Sequence, residues 1–105
     1  MQDFNLESLA KAHPQGKSYF EILRVPSMSL GIYKLSAGGA DPQNPHKQDE
    51  VYYVLSGKAK LRVEDKGVSA VPGSILFVEA GAEHKFVEIE EDLTLLIFFA
   101  PAEQS

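Results

Sequence analysis

Three histidines, a scatter of carboxylates and no cysteine bound the chemistry open to this chain of 105 residues. Without cysteine there is no disulfide, no thiolate zinc site and no thiol nucleophile. Metal ligation then rests mainly on His, Asp and Glu. Two of the histidines stand beside Gly- or Pro-marked turns at the mouths of strand-like runs, in NPHKQDEVYYVLSG (44–57) and PGSILFVEAGAEHKFVE (72–88). In the first stretch His46 and Glu50 are the pair that could share a metal. In an extended chain their Cα atoms would be about 13 Å apart, too far for two ligands that each bond at about 2.0–2.2 Å. A shared ion thus requires the chain to reverse at Lys47-Gln48-Asp49, so that His46 ends one strand and Glu50 opens the next. Side chains alternate along a strand, which puts Asn44 with His46 on one face, and Glu50 with Tyr52 and Val54 on another. In the second stretch Gly81 permits a tight turn, His84 opens a strand, and Phe86 and Glu88 share its face.

The elements that must position these groups are short strands. Runs of β-branched and aromatic residues recur from Ser18 onward: YFEIL, SLGIYKL, EVYYVL, KAKLRVE, GVSAV, SILFV, HKFVEIE and LTLLIFF. Turn chemistry separates them in VPS, AGGADPQNP, SGK, EDKG, VPGS, EAGAE and EED. About eight strands at this spacing predict an antiparallel sandwich or barrel. KAKLRVE alternates, with Ala59, Leu61 and Val63 on one face, so that strand has one wet side. LTLLIFF is apolar on both faces and needs cover on both, the second expected from another copy of the chain. Ahead of the strands, Asn5 caps a short helix over LESLAKAH that Pro14 stops. His13 closes that helix and is assigned no chemistry. Tyr33 and Tyr53 read as packing residues, and Glu90-Glu91-Asp92 as a solvated hairpin turn.

The two histidine stretches resemble the paired motifs of the cupin superfamily, small β-barrels that often hold a divalent metal. Gly38, Asn44, His46, Glu50 and Gly57 fall in the register of the first motif, a glycine followed by His-x-His, a glutamate and a closing glycine. Gly73, Glu79, Gly81, His84 and Glu88 fall in that of the second, which has proline where this chain has Glu79 and asparagine where it has Glu88. The first motif histidine is replaced by Asn44. The resemblance implies an all-β, single-domain antiparallel barrel or jelly roll over about 18–100, preceded by a short helix over about 5–13, with motifs at 38–57 and 73–88. It implies metal ligands at His46, Glu50 and His84, with Asn44 a weaker fourth through its amide oxygen and Gln43 an alternative if the loop is bulged. The implied ion is iron, manganese, zinc or nickel. Chemistry of oxygenase, isomerase or hydrolase type on a small organic molecule would follow, or else non-catalytic binding or sensing of one. Glu88 and Tyr52 are the inward candidates for moving protons, and Tyr52 and Phe86 for lining a substrate pocket. Pairing into a homodimer through outer strands is also implied.

Composition trims the list of partners. The net charge is −5 and the ten basic residues are scattered, which argues against nucleic acid. LTLLIFFA is far too short to cross a membrane as a helix, and MQDFNLESL lacks the pattern of a signal peptide. The expectation is a cytoplasmic protein that meets neither membrane nor nucleic acid.

Overall fold

The structure is a computed structural model and describes residues 1–43 and 45–104. It contains one helix, α1 (Leu6–Ala12), and six strands: β1 (Tyr19–Val25), β2 (Met28–Leu35), β3 (Asp49–Val63), β4 (Lys66–Ala70), β5 (Ile75–Val78) and β6 (His84–Ala100). Asn5 caps α1 as its side chain predicts, accepting from the Ser8 N–H at 3.1 Å. His13 bonds through Nε2 to the Lys17 carbonyl at 2.7 Å, outside the helix, and its ring meets Phe20 edge-on. Among the described residues no helix is long and apolar enough to cross a membrane.

All pairings are antiparallel. The sheet runs β1-β2-β6-β3-β4, with β5 against the first part of β3. Fewer strands form than the runs suggest, because SGK and EED do not reverse the chain. EVYYVL and KAKLRVE merge into β3, and HKFVEIE and LTLLIFF merge into β6. The two long strands pair along most of their length and bend together, with register shifts from Val54 to Lys60. Gly57 sits in this corner at φ 101°. A Cβ there would overlap the backbone of Asp92 and Leu93, so only glycine allows the close approach. Glu90-Glu91-Asp92 is therefore part of a bulged strand, not a hairpin turn.

The bend folds the sheet onto itself and encloses one core of Tyr33, Leu35, Tyr52, Val54, Leu61, Phe86, Ile89 and alternate residues of β6. Leu93, Leu95, Ile97 and Phe99 face it, while Thr94, Leu96 and Phe98 lie outside and are only half-buried. This is the antiparallel all-β barrel expected from the strand pattern.

Candidate functional site

Glu50 and His84 come from opposite halves of the folded sheet. Glu50 is the second residue of β3 and pairs with Val78 and Phe99; His84 is the first of β6 and pairs with Val63 at the far end of β3. The bend brings them together inside the barrel, with Glu50 Oε1 3.0 Å from His84 Nε2 and each side chain 1% exposed. His84 Nδ1 lies 2.9 Å from the Ala82 carbonyl, to which it donates. That contact fixes the ring and turns Nε2 toward Glu50, the arrangement a metal-binding imidazole uses to present its free nitrogen. The other Glu50 oxygen, Oε2, is buried with no partner among the described residues. An orphaned carboxylate oxygen costs free energy unless something else binds it.

Tyr52 joins this corner. Its hydroxyl donates to Gln43 Oε1 at 3.0 Å and lies 3.0 Å from His84 Nε2. Burial is the main reason its pKa lies well above that of an ordinary phenol, with the Glu50 charge adding to it, so it stays protonated at neutral pH. For His84, burial alone pulls the pKa down. The hydrogen bonds with Glu50 and the Ala82 carbonyl and the charges of Glu50 and Asp41 outweigh it, and the net shift is upward. Both shifts favour the protonated forms of His84 and Tyr52 in this corner.

Gln43 is aimed by a buried carboxylate that the sequence reading did not single out. Asp41 accepts from the Tyr33 hydroxyl at 2.6 Å, the Gln43 N–H and Nε2 at 3.0 Å each, and the Phe86 N–H at 2.9 Å. It rivets the loop between β2 and β3 to β2 and β6 and presents Gln43 Oε1 to the site. Burial and this hydrogen bond to Asp41 both raise the pKa of Tyr33. Asn44, the weaker fourth ligand implied above, lies outside the described residues.

His46 also belongs to this loop; it does not end a strand. The Gly81 N–H donates to its carbonyl at 2.8 Å, tying the loop to the turn before β6. Its Nε2 faces Gln43 Oε1 at 3.4 Å, and its ring centroid is 6.2 Å from that of His84. The chain does change direction at Lys47-Gln48, yet the contacts of the His46 ring are with Gln43, Phe99 and Glu103 and not with Glu50. Among the described residues no three His, Cys, Asp or Glu side chains are close enough to hold an ion as they stand.

Two other expectations change. Glu88 faces solvent, with its carboxylate 3.4 Å from Lys60 Nζ and its side chain 65% exposed. The cause is a break in alternation: Glu88 has φ 48°, so the bulge turns it outward and sends Ile89 into the core instead. It is not an inward acid–base group. Tyr52 and Phe86 do point inward, but they pack edge-on, centroids 5.0 Å apart, and are fully buried. The open pocket lies beside them, a cavity of about 130 Å³ walled by Tyr19, Tyr33, Ile97 and Phe99 with Gln43, His46 and Glu103 at its polar end. Gly31 makes room for the Tyr19 ring that walls it, since a Cβ at that position would overlap that ring. A larger surface hollow of about 510 Å³ between His13 and Thr94 touches none of these groups.

Comparison with known proteins agrees with this architecture. Residues 31–99 match the family described as "Cupin domain". The chain belongs to the cupin family. This cupin is 43% identical over 104 residues to an uncharacterised protein of Streptomyces coelicolor, covering 98% of this chain and 99% of that one. Among solved structures it is similar to TT1209 from Thermus thermophilus, with a TM-score of 0.80 and 30% identity over 97% of this chain and 99% of the other. A cupin-2 domain protein from Shewanella frigidimarina superposes with a TM-score of 0.76 at 20% identity, over 92% and 93% of the two chains, a likeness of fold alone.

Proposed function

We propose that this cupin holds a divalent metal ion through His46, Glu50 and His84 and acts on a small organic molecule in the adjoining pocket. The observation that carries the reading is the corner itself: a buried imidazole nitrogen whose ring is fixed from behind, beside a carboxylate with one unpartnered oxygen. Two imidazoles, a carboxylate and the Gln43 amide oxygen are donor types that suit zinc, iron, manganese or nickel. Glu50 and His84 form the fixed part of such a site. His46 is the member that has to close on them, which its place in a loop allows.

A bound ion would supply Lewis-acid chemistry; the chain's own groups do the rest. Tyr52, kept protonated by burial, holds a proton within hydrogen-bond distance of Gln43 and His84. Asp41 orients Gln43. Elemental analysis after loading with zinc, manganese, iron or nickel tests the reading. One ion per chain, lost in His84→Ala and Glu50→Ala, is expected. A second reading, a binding or sensing cupin that uses no metal, is favoured by the hydrogen bonds linking Gln43, Tyr52, His84 and Glu50, which close without an ion. Failure to take up any of the four metals would leave that reading standing.

We also propose that two copies pair through the outer face of the sheet. Registered neighbours form two apolar rows, Phe77-Val51-Phe98-Leu30-Leu23 and Ile75-Tyr53-Leu96, the second ending at Ile32, which the chain itself already buries. Ile75 and Phe77 are 72% and 64% exposed at one end. A patch without charges complements itself about a two-fold axis. Size-exclusion chromatography at micromolar concentration should give a dimer for the protein and a monomer for Phe77→Asp; a strict monomer in both would refute the pairing.

A further inference from the structure

Residues 101–104 return across the β1–β2 turn and are tied down by their backbone. The Glu103 N–H donates to Ser29 Oγ at 2.8 Å, the Glu103 carbonyl accepts from Arg24 at 2.6 Å, and the Ala102 N–H donates to the Pro26 carbonyl at 3.3 Å. These bonds hold Glu103 in place and turn its side chain inward, where it is 20% exposed. Its carboxylate is nonetheless poorly served. Arg24 stands 3.7 Å away and His46 Nδ1 3.9 Å away, and the described residues offer it no hydrogen bond. Arg24 spends its donors on the Glu21 carboxylate and the Glu103 carbonyl. Tyr19 lines the same pocket, and its hydroxyl is buried with no partner among the described residues. Held this firmly and still 20% exposed, the carboxylate keeps lone pairs open to a further donor that enters the pocket.

The rest of the pocket says what kind. Its walls are the rings of Tyr19, Tyr33 and Phe99 with Ile97, and no lysine or arginine lines it. Ring faces attract a cation and cover an apolar body. A volume of about 130 Å³ is close to the ~150 Å³ of an apolar cavity that takes up benzene, so the body has room for only a handful of non-hydrogen atoms. We propose that this pocket binds a small organic ammonium, its charged end on Glu103 and its carbon body against Tyr19, Tyr33 and Phe99. This deepens the reading above and rests on it in one respect: the far end of the ligand then faces His46 and Gln43, toward the metal-binding corner.

Three probes of similar size and different charge test the idea: n-butylammonium, 1-butanol and butyrate. Each is titrated into the full chain, metal-free and zinc-loaded, and followed by NMR at the amides of Tyr19, Ile97 and Phe99. Charge-assisted hydrogen bonds should make n-butylammonium bind about tenfold or more tighter than 1-butanol, with butyrate weakest. Glu103→Gln keeps the backbone bonds of residues 101–104 and should bring n-butylammonium down to the level of 1-butanol. Equal binding of the amine and the alcohol, or preference for butyrate, overturns the proposal. So does a Glu103→Gln variant that loses zinc affinity while the protein shows no ammonium preference, because Glu103 would then serve His46 alone. Zinc uptake that depends on His84 is scored separately, so the failure of one idea is visible apart from the other. Ammonium binding that depends on Glu103 in a protein that takes up no metal would support the pocket and remove the metal.

Discussion

The two histidines occupy opposite kinds of environment. His84 is at a strand end, fully buried, with both ring nitrogens engaged by the Ala82 carbonyl and by Glu50 and Tyr52. His46 is in a loop, partly exposed, packed edge-on against Phe99 at 4.9 Å and with only long contacts to Gln43 and Glu103. One corner is part of the core; the other is part of the doorway. A ligand set divided in this way can keep its anchor while its movable member accepts, releases or exchanges what binds. The division also separates the consequences of mutation, because removing an anchor costs fold and site together, whereas removing the movable member costs the site alone.

His84→Ala should have the largest effect. It removes the buried partner of the Glu50 carboxyl, and should lower the stability of the metal-free protein by about 3–5 kcal/mol in urea unfolding. His46→Ala should change stability by less than about 1 kcal/mol while weakening metal uptake. Equal losses from the two would abolish the distinction. Asp41→Ala should come next, costing about 1–3 kcal/mol as buried donors on Gln43, Phe86 and Tyr33 lose their acceptor. It should also weaken metal uptake by about tenfold through the loss of Gln43 orientation.

The pH dependence of the metal-free protein separates the corners again. The folded pKa of His84 lies above its unfolded value. Its contribution to stability is therefore fully present below about pH 6.5 and is lost as the pH rises through the higher folded value. His46→Ala should retain that decline and His84→Gln should flatten it; unfolding midpoints measured from pH 5 to 9 decide. The smallest effect belongs to the residue that alternation wrongly turned inward. Glu88→Gln, on the outer surface beside Lys60, should change stability by no more than about 0.5 kcal/mol and leave metal uptake unchanged.

Much of the barrel was legible in period-two runs, because burial of one face of a strand imposes that period directly. The corner was not. Gly57 and the acidic run at 90–92 have the chemistry of turns, and whether such residues reverse a chain or bulge it depends on the partner strand, which lies more than thirty residues away. The Glu88 error has the same origin, since a single residue at positive φ shifts every later side chain by one face and leaves no trace in composition. Of the site, Glu50, His84 and the inward Tyr52 could be read from motif register and alternation. Gln43 was visible only as an alternative to its neighbour. Asp41, Tyr19 and Glu103 were missed, because a loop, an edge strand and the segment after β6 deliver them from distant parts of the chain. Glu103 carries a charge that any reading of the sequence can see, but nothing local announces that it turns inward.

The continuity of β3 and β6 through the Gly57 corner has a further consequence for motion. Two half-sheets joined by a hinge could open like a book; two halves that share the same pair of unbroken strands cannot, short of unfolding both. Breathing of the described residues is therefore concentrated in the loop residues 36–43 and 45–48 and the strap over 101–104, which are tied by side-chain and loop hydrogen bonds and not by a strand ladder. Amide hydrogens of β3 and β6 should exchange only with global unfolding, and those of the loop and strap far sooner. Whatever enters the pocket arrives by loosening its rim, while the walls keep their shape.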